Sequence, residues 1–211
     1  MLNKKFKVHF SVFLLWLFTI SGIFGIISTE HSEWFLEMTP INLMLIFIIL
    51  LVNIEKLQPK LFLALSIPFF LGFITEGLGV NFGLIFGTYT YGENLGFKVF
   101  GVPLIICVNW AILTAASADV AKYFSRNRII TALIGAALMT GLDFIIEVSA
   151  PRFDFWEFKN GIVPLQNYLG WLVTAVGAHL GYQYFNIKTN TKISWHILLS
   201  ITVFFVAFLF F

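Results

Sequence analysis

LFLALSIPFFLGFITEGLGVNFGLIFGTYTYGENLG, residues 61–96, starts as a chain made for lipid and then changes character. From Leu61 to Gly79 it carries one charge, at Glu76. From 75 to 96 it packs six glycines and two glutamates into 22 residues. After Glu76, residues 80–91 (VNFGLIFGTYTY) form an apolar and aromatic run too short to cross a bilayer, which takes about 17–25 helical residues. Such a run suits a re-entrant or interfacial segment, because irregular backbone at membrane depth survives only against protein or a cavity. Gly79, Gly83 and Gly87 also stand four apart, the small-residue spacing of close helix contacts. On either reading the segment packs against other helices.

The rest of the chain agrees with a lipid environment. It is 59% hydrophobic and only 11% charged, with a mean hydropathy of +0.89, where soluble domains carry about 25% charged residues. Apolar runs at 8–28, 38–54, 61–79, 99–121, 129–149, 163–185 and 193–211 predict an all-α integral membrane protein of about seven transmembrane helices. Residues 1–211 read as a single transmembrane helical domain, with short connections throughout. The N-terminal apolar run is too long for a signal peptide core and counts as the first span.

Positive charge gives the orientation. With the N-terminus in the cytoplasm, only Lys98, Arg152 and Lys159 of the 13 lysines and arginines lie outside, which makes this a multi-pass protein of the cell membrane. The single cysteine, Cys107, excludes an internal disulfide or a thiolate metal cluster. No basic patch points to nucleic acid, and the oligomeric state is not legible.

A charge at mid-membrane costs about 2.5–3.5 kcal/mol even on mild insertion scales, so acids within spans need a reason. Glu76, Asp119, Asp143 and Glu147 qualify. Asp143 and Glu147 are four apart and share one helical face, and the span directions put them at the depth of Glu76. Asp119 and Glu147 also suit an interface position, solvated or paired with loop cations.

Asn109 and Trp110 in the fourth span and Asn167 and Trp171 in the sixth need hydrogen-bond partners, and so face the bundle. His179 suits an interhelical hydrogen bond. Trp156 lies in a loop, PRFDFWEFKNGIVPLQNYLGW (151–171), whose mixed aromatics and charges also fit a membrane-surface belt.

Metalloprotease, serine hydrolase, Walker and dinucleotide-binding motifs are missing, and His9, His31, His179 and His196 are too scattered for a histidine-box di-iron centre. No metal site is expected. The last span has no lysine for a retinal Schiff base.

TEGLGVNFGLIFGTYTYGENLGFKVFGVPLIICVNW (75–110), GLDFIIEVSAPRFDFWEF (141–158) and GIVPLQNYLGW (161–171) together resemble the carotenoid biosynthesis membrane proteins that include carotenoid 1,2-hydratases and bisanhydrobacterioruberin hydratase. The likeness covers about residues 70–175. It implies a cofactor-independent hydratase that adds water across the terminal 1,2 double bond of an acyclic (ψ) carotenoid end, leaving a tertiary alcohol. The substrate would be a carotenoid dissolved in the lipid bilayer.

That chemistry protonates C2, passes through a tertiary cation at C1 and delivers water to it. A carboxyl group desolvated in an apolar pocket keeps its proton to higher pH and can act as a general acid. Asp143 is the expected acid and Glu76 the water-side base, with the two roles exchangeable. Aromatic faces stabilise a cation by about 0.5–2 kcal/mol each, which suggests a substrate-binding cage of Tyr89, Tyr91, Trp110, Trp156 and Trp171. Asn109 and Asn167 are candidates to hold the water, and Glu147 completes the expected substrate site. A carotenoid end-group cyclase shares the protonation step, and a carotenoid- or lipid-binding transport protein is the non-enzymatic alternative. The transport class favours repeated broken helices, whereas the glycine-rich interruption occurs once.

Overall fold

The computed structural model describes residues 4–211. These fold into α1 (Lys4–Ile27), α2 (Ser32–Glu37), α3 (Thr39–Val52), α4 (Pro59–Phe82), β1 (Tyr89–Tyr91), β2 (Lys98–Val99), β3 (Val102–Pro103), α5 (Leu104–Phe124), α6 (Arg128–Ile146), β4 (Trp156–Phe158), α7 (Leu165–Tyr184) and α8 (Thr191–Ala207). A 3₁₀ turn at Lys159–Gly161 follows β4. Seven of the eight helices fall on the seven apolar runs, and the short α2 lies between the first two. Four of them, α1, α4, α5 and α6, are each long and apolar enough to cross a membrane, while α3 and α8 are shorter apolar helices.

Local signals set the helix ends. Pro59 opens α4 in the first turn, where its missing N–H costs nothing. The side chain of Asn127 caps α6 by accepting from the amides of Ile129 (2.9 Å) and Ile130 (3.2 Å), and Asn190 caps α8 through the amide of Ile193. Helix α4 stops at Gly83, whose φ of 65° is the left-handed C-terminal cap that glycine adopts without steric cost.

That stop revises the expected small-residue helix contact. Gly79, Gly83 and Gly87 do not line one helical face, because only Gly79 is helical. The run at 80–91 is helix as far as Phe82, then irregular chain, then β1. Its backbone leans on the start of α7, where Gln166 donates to the carbonyl of Gly83 (3.3 Å).

The fourth span was expected from residue 99, but α5 starts at Leu104. Residues Lys98–Val99 and Val102–Pro103 pair instead as an antiparallel hairpin. Phe100 and Gly101 at its tip both have positive φ (51° and 79°), the turn that matches the natural twist of a two-residue hairpin.

Helix α5 is the axis of the bundle and packs against α3, α4, α6, α7 and α8. Its Ala115, Ala116 and Ala118 are fully buried, and side chains this small let neighbouring backbones approach closely. Large apolar side chains such as Phe24, Phe70 and Val173 face outward, while Glu76, Asp143, Asn167 and His179 are buried. Apolar outside and polar within is the pattern of a membrane protein. His179 is a helix-to-helix link, with Nδ1 2.7 Å from the carbonyl oxygen of Ala175 and Nε2 2.9 Å from Ser117 Oγ.

A residue enlarged on the axis has nowhere to go. Ala115→Leu should destabilise the detergent-solubilised protein by about 1–3 kcal/mol, read as a lower thermal midpoint. An unchanged midpoint would mean that α5 is less tightly enclosed than described.

Candidate functional site

Glu76 lies on α4 with glycines on the same face, one turn to either side at Gly72 and Gly79. A Cβ on Gly72 would come within 2.5 Å of the Trp110 ring, and one on Gly79 within 2.8 Å of the Tyr89 ring. The two glycines therefore seat two side chains that serve the carboxylate between them. Trp110 Nε1 donates to Glu76 Oε1 (3.0 Å), Tyr91 donates its hydroxyl to Oε2 (2.7 Å), and Tyr89 donates to the same oxygen.

Both tyrosines come from β1, which pairs antiparallel with β4 in the register Tyr89↔Phe158, Thr90↔Glu157, Tyr91↔Trp156. A strand presents alternate residues to one face. Tyr89, Tyr91, Trp156 and Phe158 point to the site, and Thr90 and Glu157 point away from it and are exposed. The loop expected as a surface belt is thus folded inward, with Phe153, Phe155 and Phe158 buried.

The second pair of acids faces Glu76 from α6. Asn167, at the start of α7, donates through Nδ2 to Asp143 Oδ2 (2.9 Å) and to Glu147 Oε1 (3.0 Å), bridging them. Trp156 Nε1 donates to Glu147 Oε2 (3.0 Å), which removes Glu147 from any solvated interface role. The three carboxyl groups have six oxygens, and five of them are engaged. Asp143 Oδ1 is the buried exception.

Glu76, Asp143 and Glu147 line one cavity of about 30 Å³, together with Asn109 and Asn167. That volume holds a water molecule or two. Asn109 Oδ1 is a second buried acceptor on this wall without a partner. Aromatic rings form most of the remainder, from Phe86, Tyr89, Tyr91, Trp156, Phe158 and Trp171.

Of the ten residues expected to be catalytic or substrate-binding, nine line this cavity and one stands behind it. Trp110 turns its indole N–H to Glu76 and stacks on Trp171, with ring centroids 4.3 Å apart and planes at 15°. Trp110 thus holds Glu76 and Trp171 from behind the cavity wall. The two oxygens of Glu76 accept from three donors. Asp119, also buried, lies nine residues along α5 from Trp110, about 14 Å down the axis, and takes no part in the cluster.

Sequence reading missed the two glycine seats, although their spacing around Glu76 was visible. It also missed the bridging role of Asn167.

Glycine-to-alanine changes inside a helix normally stabilise by about 0.5–1 kcal/mol. Gly72→Ala should do the opposite here. The added methyl displaces Trp110, so the thermal midpoint falls and the near-ultraviolet dichroism of the stacked indoles weakens. A stabilised protein with an intact indole signal would refute the seating.

A family model described as carotenoid biosynthesis protein matches residues 38–211. No curated protein and no solved structure matches the chain.

Proposed function

Because the chain belongs to the carotenoid biosynthesis protein family, we propose that it is a carotenoid 1,2-hydratase, adding water to the terminal double bond of an acyclic carotenoid end. The observation that carries this reading is the uneven satisfaction of the three acids. An ionised carboxylate only accepts hydrogen bonds, and Glu76 receives three. Asp143 keeps one oxygen free on a cavity walled by aromatic rings.

In this mechanism Asp143 delivers a proton from Oδ1 to C2 of the alkene. The π electrons form the new C–H bond and leave a tertiary cation at C1. The ring faces of Tyr89, Tyr91, Trp156 and Trp171 and the fixed negative charge of Glu76 stabilise that cation. Water held by Asn109 attacks C1, and the proton it releases passes to the Asp143–Glu147 pair, restoring the acid. One water is consumed, and no electron donor or acceptor is needed.

Glu76 therefore serves as a counter-charge. Its donors hold it in place, so no side chain has to reorganise when the cation forms.

Expression in a lycopene-accumulating bacterium tests the reading through pigment masses. The expected product gains one water for each acyclic end. A product isomeric with its substrate would identify a cyclase and overturn the hydratase. Asp143→Asn keeps the shape but cannot protonate the alkene, so it should insert normally and lose at least about 10²-fold in hydration, the low end of general-acid contributions. Full activity in that variant would remove Asp143 from the mechanism.

A further inference from the structure

A cavity of about 30 Å³ holds a water molecule or two and has no room for a polyene chain. Beside it lies a second cavity of about 530 Å³, enclosed between the C-terminal half of α1, the N-terminal half of α3, α5 and α8. The two share four wall residues, Ile106, Asn109, Ile146 and Trp156.

We infer that this larger cavity is the chamber that holds the linear polyene, with its terminal end group pointing past Asn109 toward Asp143. The inference rests on the hydratase reading for the identity of the ligand. Three features of the chamber support it.

The first is how the chamber arises. α1 and α3 are tied at one end, where Asn53 Nδ2 donates to Ser11 Oγ (2.8 Å) and Lys7 Nζ to the carbonyl of Val52 (2.6 Å). The chamber lies at the opposite ends of the same two helices, lined by α1 from Phe18 to Ile26 and by α3 from Thr39 to Ile46. The space is therefore built into the helix arrangement.

The second is its chemistry. The wall is mainly aliphatic and aromatic, with Thr39 and Asn42 polar near the start of α3, and the hydroxyls of Thr19, Ser21 and Ser200 are each donated to a carbonyl of their own helix. They ask nothing of a ligand, so the chamber suits hydrocarbon. Asn109, with its unpartnered Oδ1, marks the junction with the acids.

The third is the way in. Phe18, Trp34 and Ile41 line the chamber and are also 46%, 58% and 64% exposed on the outer surface of the bundle. The mouth lies between α1 and the α2–α3 segment, beside apolar residues exposed on the outside of the bundle. A carotenoid enters there without leaving the membrane.

Two substitutions test the chamber without touching the acids. Gly22 and Phe204 are in contact on its wall, where a Cβ on Gly22 would sit 3.2 Å from the Phe204 ring, so Gly22→Leu crowds that ring and narrows the chamber at the α1–α8 contact. Ile41→Trp narrows the mouth at an exposed position, where a disturbed interior cannot explain the result. Each protein is purified from lycopene-producing cells, and bound pigment is measured by visible absorbance and by extraction. The chamber changes are made in the Asp143→Asn protein, which should retain unreacted lycopene, while wild type retains lycopene or its hydrated product. Both chamber variants should hold about tenfold less pigment than Asp143→Asn alone, equivalent to about 1.4 kcal/mol of binding.

Lycopene retained in both chamber variants at the level of Asp143→Asn alone, or phospholipid recovered from Asp143→Asn in place of lycopene, overturns the chamber and leaves the acid chemistry standing. Pigment lost in the chamber variants while wild type never adds water keeps the chamber and overturns the hydratase.

Discussion

Glu76 cannot be buried in this bundle unless donors come to it. A carboxylate without partners in hydrocarbon is among the costliest groups a fold can enclose, and here three are enclosed side by side. The architecture around the site follows from that cost. Gly72 and Gly79 give up side chains so that an indole and a phenol can reach the carboxylate from opposite sides. The chain leaves α4 at Gly83 so that β1 can turn back and present Tyr89 and Tyr91. β1 is in turn fixed by β4, which brings Trp156 to Glu147. One electrostatic requirement thus organises a helix face, a helix end and a strand pair.

The same arrangement gives the acids unequal surroundings. Donors crowd one carboxylate and leave another partly free, in a shared cavity with little room for solvent. Two carboxyl groups of similar intrinsic strength can then hold different protonation states, because the environment sets the difference. The stacked pair Trp110 and Trp171 adds rigidity, since Trp110 cannot tilt without losing both its stacking on Trp171 and its hydrogen bond to Glu76.

The helices were legible because hydrophobic length is a strong signal, and the acids because charge in an apolar run must be explained. The relation of Asp143 to Glu147 followed from their spacing alone. The strand pair was not legible. Three residues at 89–91 and three at 156–158 carry no long alternation, and they meet only through the tertiary fold. Had 89–91 been read as a strand, its alternation would have put Tyr89 and Tyr91 on one face. The double hydrogen bond of Asn167 was hidden for a similar reason, since it depends on where α7 begins relative to α6. Small-residue spacing misled at Gly83, where the same residue type that permits close packing also permits the left-handed conformation that ends a helix.

The sequence separation of the partners bears on how the chain is made. Glu76 finds its donors 13, 15 and 34 residues downstream, and Asp143 finds Asn167 after 24. During synthesis each acid therefore meets its partners in the next helix or connecting segment to emerge, and no acid has to wait in the translocon for a distant rescuer. The β1–β4 pair is a later event: its strands can meet only after α5 and α6, which lie between them in the chain, have been made.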